Sequence, residues 1–524
     1  MRTRRAIFAA APIVLASLPA QATPLFVDRA GALPVEHVYD GGWHFFVGGG
    51  VAVLDCNDDG LPDLFVAGGE NQATLFVNVT PHPRAPIAFR LAQMPELTHV
   101  TGAYPLDIDG DGILDLAVLR VGENLLLKGG PDCSFADASQ EWGFAGGDRW
   151  STAFSATWEE GSDWPTLAIG NYVDRADPDG PFEACDENEL HRPDSKGNNG
   201  PRYTAPIPLS PGYCALSMLI SDWRRMGEAE LRISNDRHYY VRGGFEEMWR
   251  LSPLTPRTQA DGWPRISLWG MGIASHDITG NGLPDVMLTS MGDQLLQFNT
   301  GEGFTNAPFS IGTYAQRPFI GDDGRPSTGW HAEFGDIDND GRADLFIAKG
   351  NVDQMPSNAM RDPNNLLMQQ PDGTFVERAE EAGVATLERS RGAALVDLNG
   401  NGLLDIVVVN RRAPMEIWEN VTQKAGGWVA IMPRQAGANG FAVGSWVELR
   451  SDDAAGGERM QVREVTVGGG HVGGTAGPLH FGIGDAENAE MRIIWPDGSV
   501  SGWTAVPLGG RIEAWRDGEG ILLR

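Results

Sequence analysis

The chain has 524 residues, 70 of them acidic and 40 lysine or arginine, for a formal charge of −30. So acidic a surface repels phosphate backbones and argues against a nucleic-acid partner. The length exceeds what one ordinary hydrophobic core organises, so more than one domain is expected.

The first 22 residues read as a signal peptide. Arg2, Arg4 and Arg5 precede an apolar run from Ala6 to Ala16, and Ala20, Gln21 and Ala22 form a small-residue cleavage site. The run is too short to span a bilayer, and no membrane span is expected further on. Arg4 and Arg5 hint at twin-arginine export. The mature chain is expected to be exported, periplasmic or secreted.

From residue 55 onward, apolar runs end in turns of aspartate, asparagine and glycine, and second apolar runs follow. Five turns share one register. They carry Asp55, Asn57, Asp59 and Asp63 around Gly60, then Asp107, Asp109, Asp111 and Asp115 around Gly112. The next are Asp277, Thr279, Asn281 and Asp285 around Gly282, and Asp336, Asp338, Asp340 and Asp344 around Gly341. The last is Asp397, Asn399, Asn401 and Asp405 around Gly402. Oxygen side chains at alternate positions of a tight turn converge on one point, as a hard cation requires, and glycine permits the bend. Up to five calcium ions are therefore expected. An EF-hand would need a bidentate glutamate at position 12. Val66, Val118, Leu288, Ile347 and Val408 stand there instead, inside short apolar runs that read as buried strands. Ordinary Asx turns explain one such loop as well as a metal does. Five in one register favour the metal.

The gap between 107 and 277 holds two copies that keep the strands and lose the ligands. One runs from Trp158 to Thr166 and the other from Asp222 to Glu230. Arg224 stands at a ligand position. Either an internal cation replaces the ion there or the turn is simply metal-free. Seven units of roughly 50–60 residues predict an all-β fold, a seven-bladed β-propeller with calcium loops, over 23–424. The seventh unit lacks a fourth strand after Trp418. Phe26, Val27 and Asp28 are expected to supply it and so close the ring.

Four cysteines in an exported chain suit two disulfides, with three possible pairings. Cys185–Cys214 is favoured because it would pin the Pro/Gly/Asp-rich loop after Tyr172. Cys56–Cys133 follows by subtraction. Over 425–524 the calcium loops stop, and runs at 428–432, 443–449, 461–467, 479–484, 491–495 and 511–515 predict a small all-β domain.

These motifs carry a resemblance. The Asp-rich units resemble the FG-GAP/VCBS repeats of integrin α-chain propellers. The tail, with Asn439, Gly444, Arg463, Glu464, the 468–470 glycines, the run 480–484 and Trp495 to Gly498, resembles the ASPIC/UnbV domain. The pair resembles bacterial relatives of the cartilage acidic protein family. The resemblance implies calcium binding and an extracytoplasmic interaction role, and it implies no known chemistry. Gly440 and Phe441 depart from the more polar, Arg-bearing turn of that family.

Hydrolase, zinc-protease and P-loop signatures are absent, and Gly498 to Gly502 has Val500 where a serine nucleophile would sit. His471 and His480 read as structural. If the calcium loops share one face, the opposite face collects Trp43, His44, Trp150, Trp269, Trp330, His331 and Arg391. Asn71, Asn124, Asn171, Asn235, Asp236, Arg237, Asn351, Asn410 and Arg411 join them. Such a set could bind a protein or a carbohydrate. Equally, it could be turn chemistry and packing. The leading expectation is a non-catalytic, exported, calcium-binding interaction or adhesion module. The alternatives are a lyase-like propeller enzyme using His44, His331 and Arg391 on carbohydrate, and a structural matrix component.

Overall fold

The computed structural model describes residues 22–177, 184–194, 200–236, 244–314, 326–352, 359–452 and 457–524. The expected signal peptide, apart from Ala22, lies outside the described residues, as does Arg237.

Among the described residues the chain is all-β, with one short α-helix, Ala379–Ala382. Up to Asn420 the strands form antiparallel meanders. The first comprises Val51–Leu54, Asp63–Val66, Thr74–Asn78 and Phe89–Leu91. Val100–Leu106, Asp115–Gly122, Leu125–Gly130 and Ser134–Asp137 make the second. Arg149–Thr157, Thr166–Asn171, Asn188–His191 and Ile207–Leu209 make the third. It joins the second through the pairs Arg149 with Gly122 and Trp150 with Val121. Later meanders begin at Ala215–Ser221, Gly270–His276, Gly329–Gly335 and Ser390–Val396. The last gains its fourth strand from the N-terminus, where Phe26–Asp28 pairs with Glu416–Asn420 as the sequence predicts.

First strands lie beside one another in chain order, and Ser390–Val396 touches Val51–Leu54. Gly392 N donates to Gly49 O at 3.1 Å across that junction. First strands are packed on both faces. That is why Val100–Leu106 is buried along its whole length and reads as a continuous apolar run rather than an alternation. Outer strands such as Ser134–Asp137 bury only one residue in four.

Neighbouring meanders are also stapled through side chains. Asn78 Nδ2 donates to Leu398 O, Asn299 Nδ2 to Trp223 O, Asn420 Nδ2 to Ile337 O, and Gln369 Nε2 to Ile278 O, at 2.8, 2.7, 2.9 and 3.0 Å. Each acceptor is the second residue of the adjoining turn. The amide ending a third strand therefore fixes the loop of the preceding unit, and Asn78 does so between the first unit and the last.

The tail folds as two four-stranded sheets. One runs in the order Leu479–Gly484, Gly427–Arg434, Arg511–Asp517, Gly520–Leu523. The other is Glu458–Glu464, Trp446–Asp452, Ala489–Ile494, Thr504–Ala505. Val429, Ile431, Val447, Leu449, Phe481, Met491 and Ile493 are buried between them. Two expected strands are shifted by three residues from where the sequence indicates, to Trp446–Asp452 and Glu458–Glu464. The run 443–449 begins only at Trp446, and 461–467 ends at Glu464 because the chain leaves the sheet there to reach the first meanders.

Both disulfides form as expected, Cys56–Cys133 and Cys185–Cys214, with Cα separations of 4.9 and 4.8 Å. Each closes a long chain segment. Cys185→Ser with Cys214→Ser is expected to cost roughly 3–4 kcal/mol through the unfolded state. Denaturant unfolding measures it, and an unchanged midpoint refutes it.

Candidate functional site

The five ligand loops share one hydrogen-bond scheme. The first aspartate caps the turn: Gly60, Gly112, Gly282, Gly341 and Gly402 donate backbone N–H to Asp55, Asp107, Asp277, Asp336 and Asp397 at 2.7–3.0 Å. The ninth residue ties the loop to two strands. Asp63 accepts from Cys56 and Asn78, Asp115 from Ile108 and Gly129, Asp285 from Ile278 and Asn299. Asp344 accepts from Ile337 and Gln369, and Asp405 from Leu398 and Asn420. These are Asx turns with strand anchors, and they hold carboxylates close to one another.

Two loops gather three carboxylates each, Asp107 with Asp109 and Asp115, and Asp336 with Asp338 and Asp344. Their ligand atoms lie within 4.8 Å of one another. In the 336 loop both oxygens of Asp338 are buried without a hydrogen-bond partner. In the 107 loop one oxygen of Asp109 is in the same position. Buried oxygens without donors are costly unless a cation meets them, so this donor set fits a hard metal ion. Asn399 Oδ1 in the 397 loop is likewise unmet. The 107 loop carries a competitor, because Lys128 pairs with Asp109 and Asp111. Arg342 pairs with Asp340 in the 336 loop. Burial is the main cause that pushes Asp115 up to about 8, Asp63 to about 7, and Asp107 and Asp285 to about 6. Asp336 and Asp344 are raised well above the carboxylate range by burial and then by the other acids of their loop. Cys56, Asp63 and Cys133 also cluster, but the two sulfurs are spent in a disulfide.

The two degenerate turns are neutralised by arginines from other strands. Arg224 turns to Glu228 at 2.9 Å. Arg257, not Arg224, sits on Glu230, with Nη2 at 2.7 Å from Oε1. In the other turn Arg192 grips Glu159 with two hydrogen bonds, 2.7 and 2.8 Å. The cation nominated at the 222 turn, Arg224, instead pairs with Glu228, and the acids at 159 and 230 are met by arginines that lie far from them in sequence.

The tail domain sits on the loops. Arg511 Nη1 donates to Gly60 O at 2.6 Å, and Arg459 Nη1 to Asp340 O at 2.6 Å. His480 Nε2 lies 2.7 Å from Asn339 Oδ1, and Gly484 N donates to Asn339 O at 2.8 Å. Glu464 accepts from Asp222 N at 2.8 Å. The glycine-rich segment after Glu464 enters the centre of the first strands. Val467 O accepts from Ala156 N at 3.1 Å, Gly470 N donates to Ile273 O at 2.7 Å, and Val53 N donates to Gly474 O at 3.0 Å. At its tip His471 is buried. Its Nδ1 faces Met271 O at 3.0 Å, and Gly48 N donates to its Nε2 at 3.3 Å. That pattern requires the neutral tautomer with the proton on Nδ1. Burial lowers its pKa to about 3. His471 N in turn donates to His331 Nδ1 at 3.0 Å. A run of glycines between two strands, 468–470, was the visible signal. Only glycine tolerates backbone packed this tightly, but spacing alone could not say against what.

The residues expected on the opposite face are mostly packing. Trp330, Arg391, Asn410 and Arg411 are buried. Arg391 lies over the Trp330 ring at 4.2 Å and donates to Phe46 O at 2.8 Å. Arg411 donates to Phe45 O at 2.8 Å. Asn410, Asn171 and Asn124 hold backbone carbonyls of Pro414, Glu187 and Gly146. His331 lies on the other side, against the tail's glycine-rich segment. Trp43, His44 and Trp269 keep partial exposure, and Asn71 is exposed. The predicted set is therefore split between a sealed aromatic cluster and a small outer remnant.

Residues 435–518 match the family described as ASPIC and UnbV, and residues 55–155 and 277–347 match the FG-GAP-like repeat. Cartilage acidic protein 1 of Xenopus tropicalis is 27% identical over 116 residues, 21% of this chain and 17% of that protein. The Mus musculus protein of the same name is 24% identical over 169 residues, 32% of this chain and 25% of that protein. The chain thus spans a quarter or less of the curated relatives it matches. A solved structure of BBS1N in complex with ARL6DN aligns at a TM-score of 0.45 and 9% identity, over 77% of this chain and 99% of that one. AofleA from Arthrobotrys oligospora aligns at 0.35 and 12%, over 64% and 87%. The chain carries FG-GAP-like repeats followed by an ASPIC and UnbV domain, with weak similarity to cartilage acidic protein 1.

Proposed function

We propose that the meanders close into a seven-bladed propeller binding calcium in up to five loops, and that the exported chain is a non-catalytic interaction module. Its partner is a protein met on the face away from the loops. One observation carries this reading: the tail domain already covers the loop side and fills its centre. The outer remnant of Trp43, His44 and Trp269 then offers aromatic anchors. Two disulfides suit an oxidising compartment. Among the described residues no helix is long and apolar enough to cross a membrane. The lyase-like reading finds no supporting geometry. His331 is bound to His471, and Arg391 is turned onto backbone carbonyls.

Pull-down from the periplasm or medium tests the reading. Wild type in calcium is expected to retain a protein that Trp43→Ala with Trp269→Ala loses. Equal retention by the double variant removes this face from consideration.

A further inference from the structure

A cavity of about 870 Å³ lies between the first strands and the tail domain. That volume is in the range of small-molecule sites. Its walls include Leu219, Ile273, Phe334 and Leu395 from four meanders, and Arg463 from the tail.

Arg463 has an unusual setting. It follows Val462 on the tail's strand Glu458–Glu464, and its neighbour Glu464 is occupied with Ser221 and Asp222. Arg463 has one hydrogen bond, from Nη1 to His480 O at 3.1 Å, and no ion pair among the described residues. Arg463 is half-buried, and it lines the cavity. His276 and His480 are likewise half-buried and line the same cavity. The Nδ1 of His276 meets no partner. Glu333 is the acid that acts on Arg463 electrostatically, but its Oε2 accepts from Leu395 N at 3.0 Å and faces His331 Nε2 at 3.6 Å. The other acids on the wall are engaged as well. Asp55, Asp107, Asp277 and Asp397 cap their own loops, and Asp59 accepts from Asn57 and Leu61.

A guanidinium with a single carbonyl partner, the rest of its fork open to the cavity, has N–H donors left for a ligand. Its planar fork matches a two-oxygen anion. We propose that this cavity binds a small organic anion, its oxyanion head (carboxylate or phosphate ester) held by Arg463 beside His276 and its apolar body on Leu219, Ile273, Phe334 and Leu395. The site does not depend on any partner on the opposite face, and calcium in the loops would favour it by neutralising Asp55, Asp107, Asp277 and Asp397 on its wall.

Isothermal calorimetry on the full chain, with benzoate and phenyl phosphate as probes, tests it. At least one probe is expected to bind wild type, and Arg463→Met to weaken that binding by roughly tenfold or more, the loss of one charge-assisted pair. Which probe binds tells carboxylate from phosphate. Arg463→Lys keeps the charge without the fork and is expected to fall between the two. It carries the test if Arg463→Met does not fold. The melting temperature of each variant reports folding separately. Equal affinity in wild type and the variants, or no binding of either probe to wild type, overturns the proposal.

Discussion

Chelating divalent ions is expected to lower the midpoint of thermal unfolding by about 10 °C or more, because each ion held at a hundredfold over its Kd stabilises by about 2.7 kcal/mol and several loops contribute. The loops are held by their own hydrogen bonds, so the metal-free chain should remain folded near neutral pH but weakened. Its pH dependence carries a distinctive sign. Asp115, Asp63, Asp107 and Asp285 have folded pKa values of about 8, 7, 6 and 6, all above the unfolded carboxylate value, with burial as the main cause. A raised acid binds its proton more tightly in the fold. Its stabilisation is complete below the unfolded pKa and is lost as pH rises through the folded one. Chelated protein should therefore melt higher at about pH 5 than at about pH 8. With calcium the carboxylates are held ionised by the ion, metal binding improves as protons leave, and the slope should flatten or reverse. Differential scanning calorimetry at two pH values, with and without chelator, reads all four conditions. Identical midpoints with and without chelator would sink the calcium reading. Single-loop variants rank the sites. Asp338→Ala should cost more calcium affinity than Asn399→Ala, since Asp338 brings a full charge whose two oxygens are otherwise unmet.

How the sequence reported this structure depends on which interactions repeat. The loops recur, so their register, the strands beside them and even the pairing of Phe26–Asp28 with Glu416–Asn420 were legible from spacing. The amide staples recur too, as Asn78, Asn299, Gln369 and Asn420, each ending a third strand. Their role is not visible in the sequence, because asparagine at a strand end is also ordinary turn chemistry. Interactions made once are not spelled in any period. Arg192 on Glu159 and Arg257 on Glu230 come from outside the turns they neutralise, so proximity in sequence nominated Arg224 instead. The aromatic set divides for a different reason. Tryptophan and arginine at loop ends describe a binding face and a packed seal equally well, and only the carbonyls of Phe45 and Phe46, accepting from Arg411 and Arg391, decide between them.

The second large effect concerns the tail's grip on the first strands. A Cβ placed on Gly102 would lie 1.8 Å from Val472 O and 2.5 Å from Val472 Cγ1, and one on Gly50 would lie 1.7 Å from the same oxygen. Backbone cannot yield as a side chain does, and Val472 is itself fully buried. Gly102→Ala must therefore push the glycine-rich segment out of the centre. The expected cost is about 3 kcal/mol or more, at the upper end of overpacking effects. The loss should fall on the contact rather than on the meanders, because the three atoms closest to that Cβ all belong to Val472 and none to the paired strand Asp115–Gly122. Limited proteolysis should then release the tail while the repeats stay resistant. A double-mutant cycle isolates the cause. Replacing residues 468–474 by a short linker should lower stability by itself and leave Gly102→Ala with little further effect. If Gly102→Ala costs as much with the segment removed as with it present, the damage lies within the strand, and the segment is not what requires glycine there.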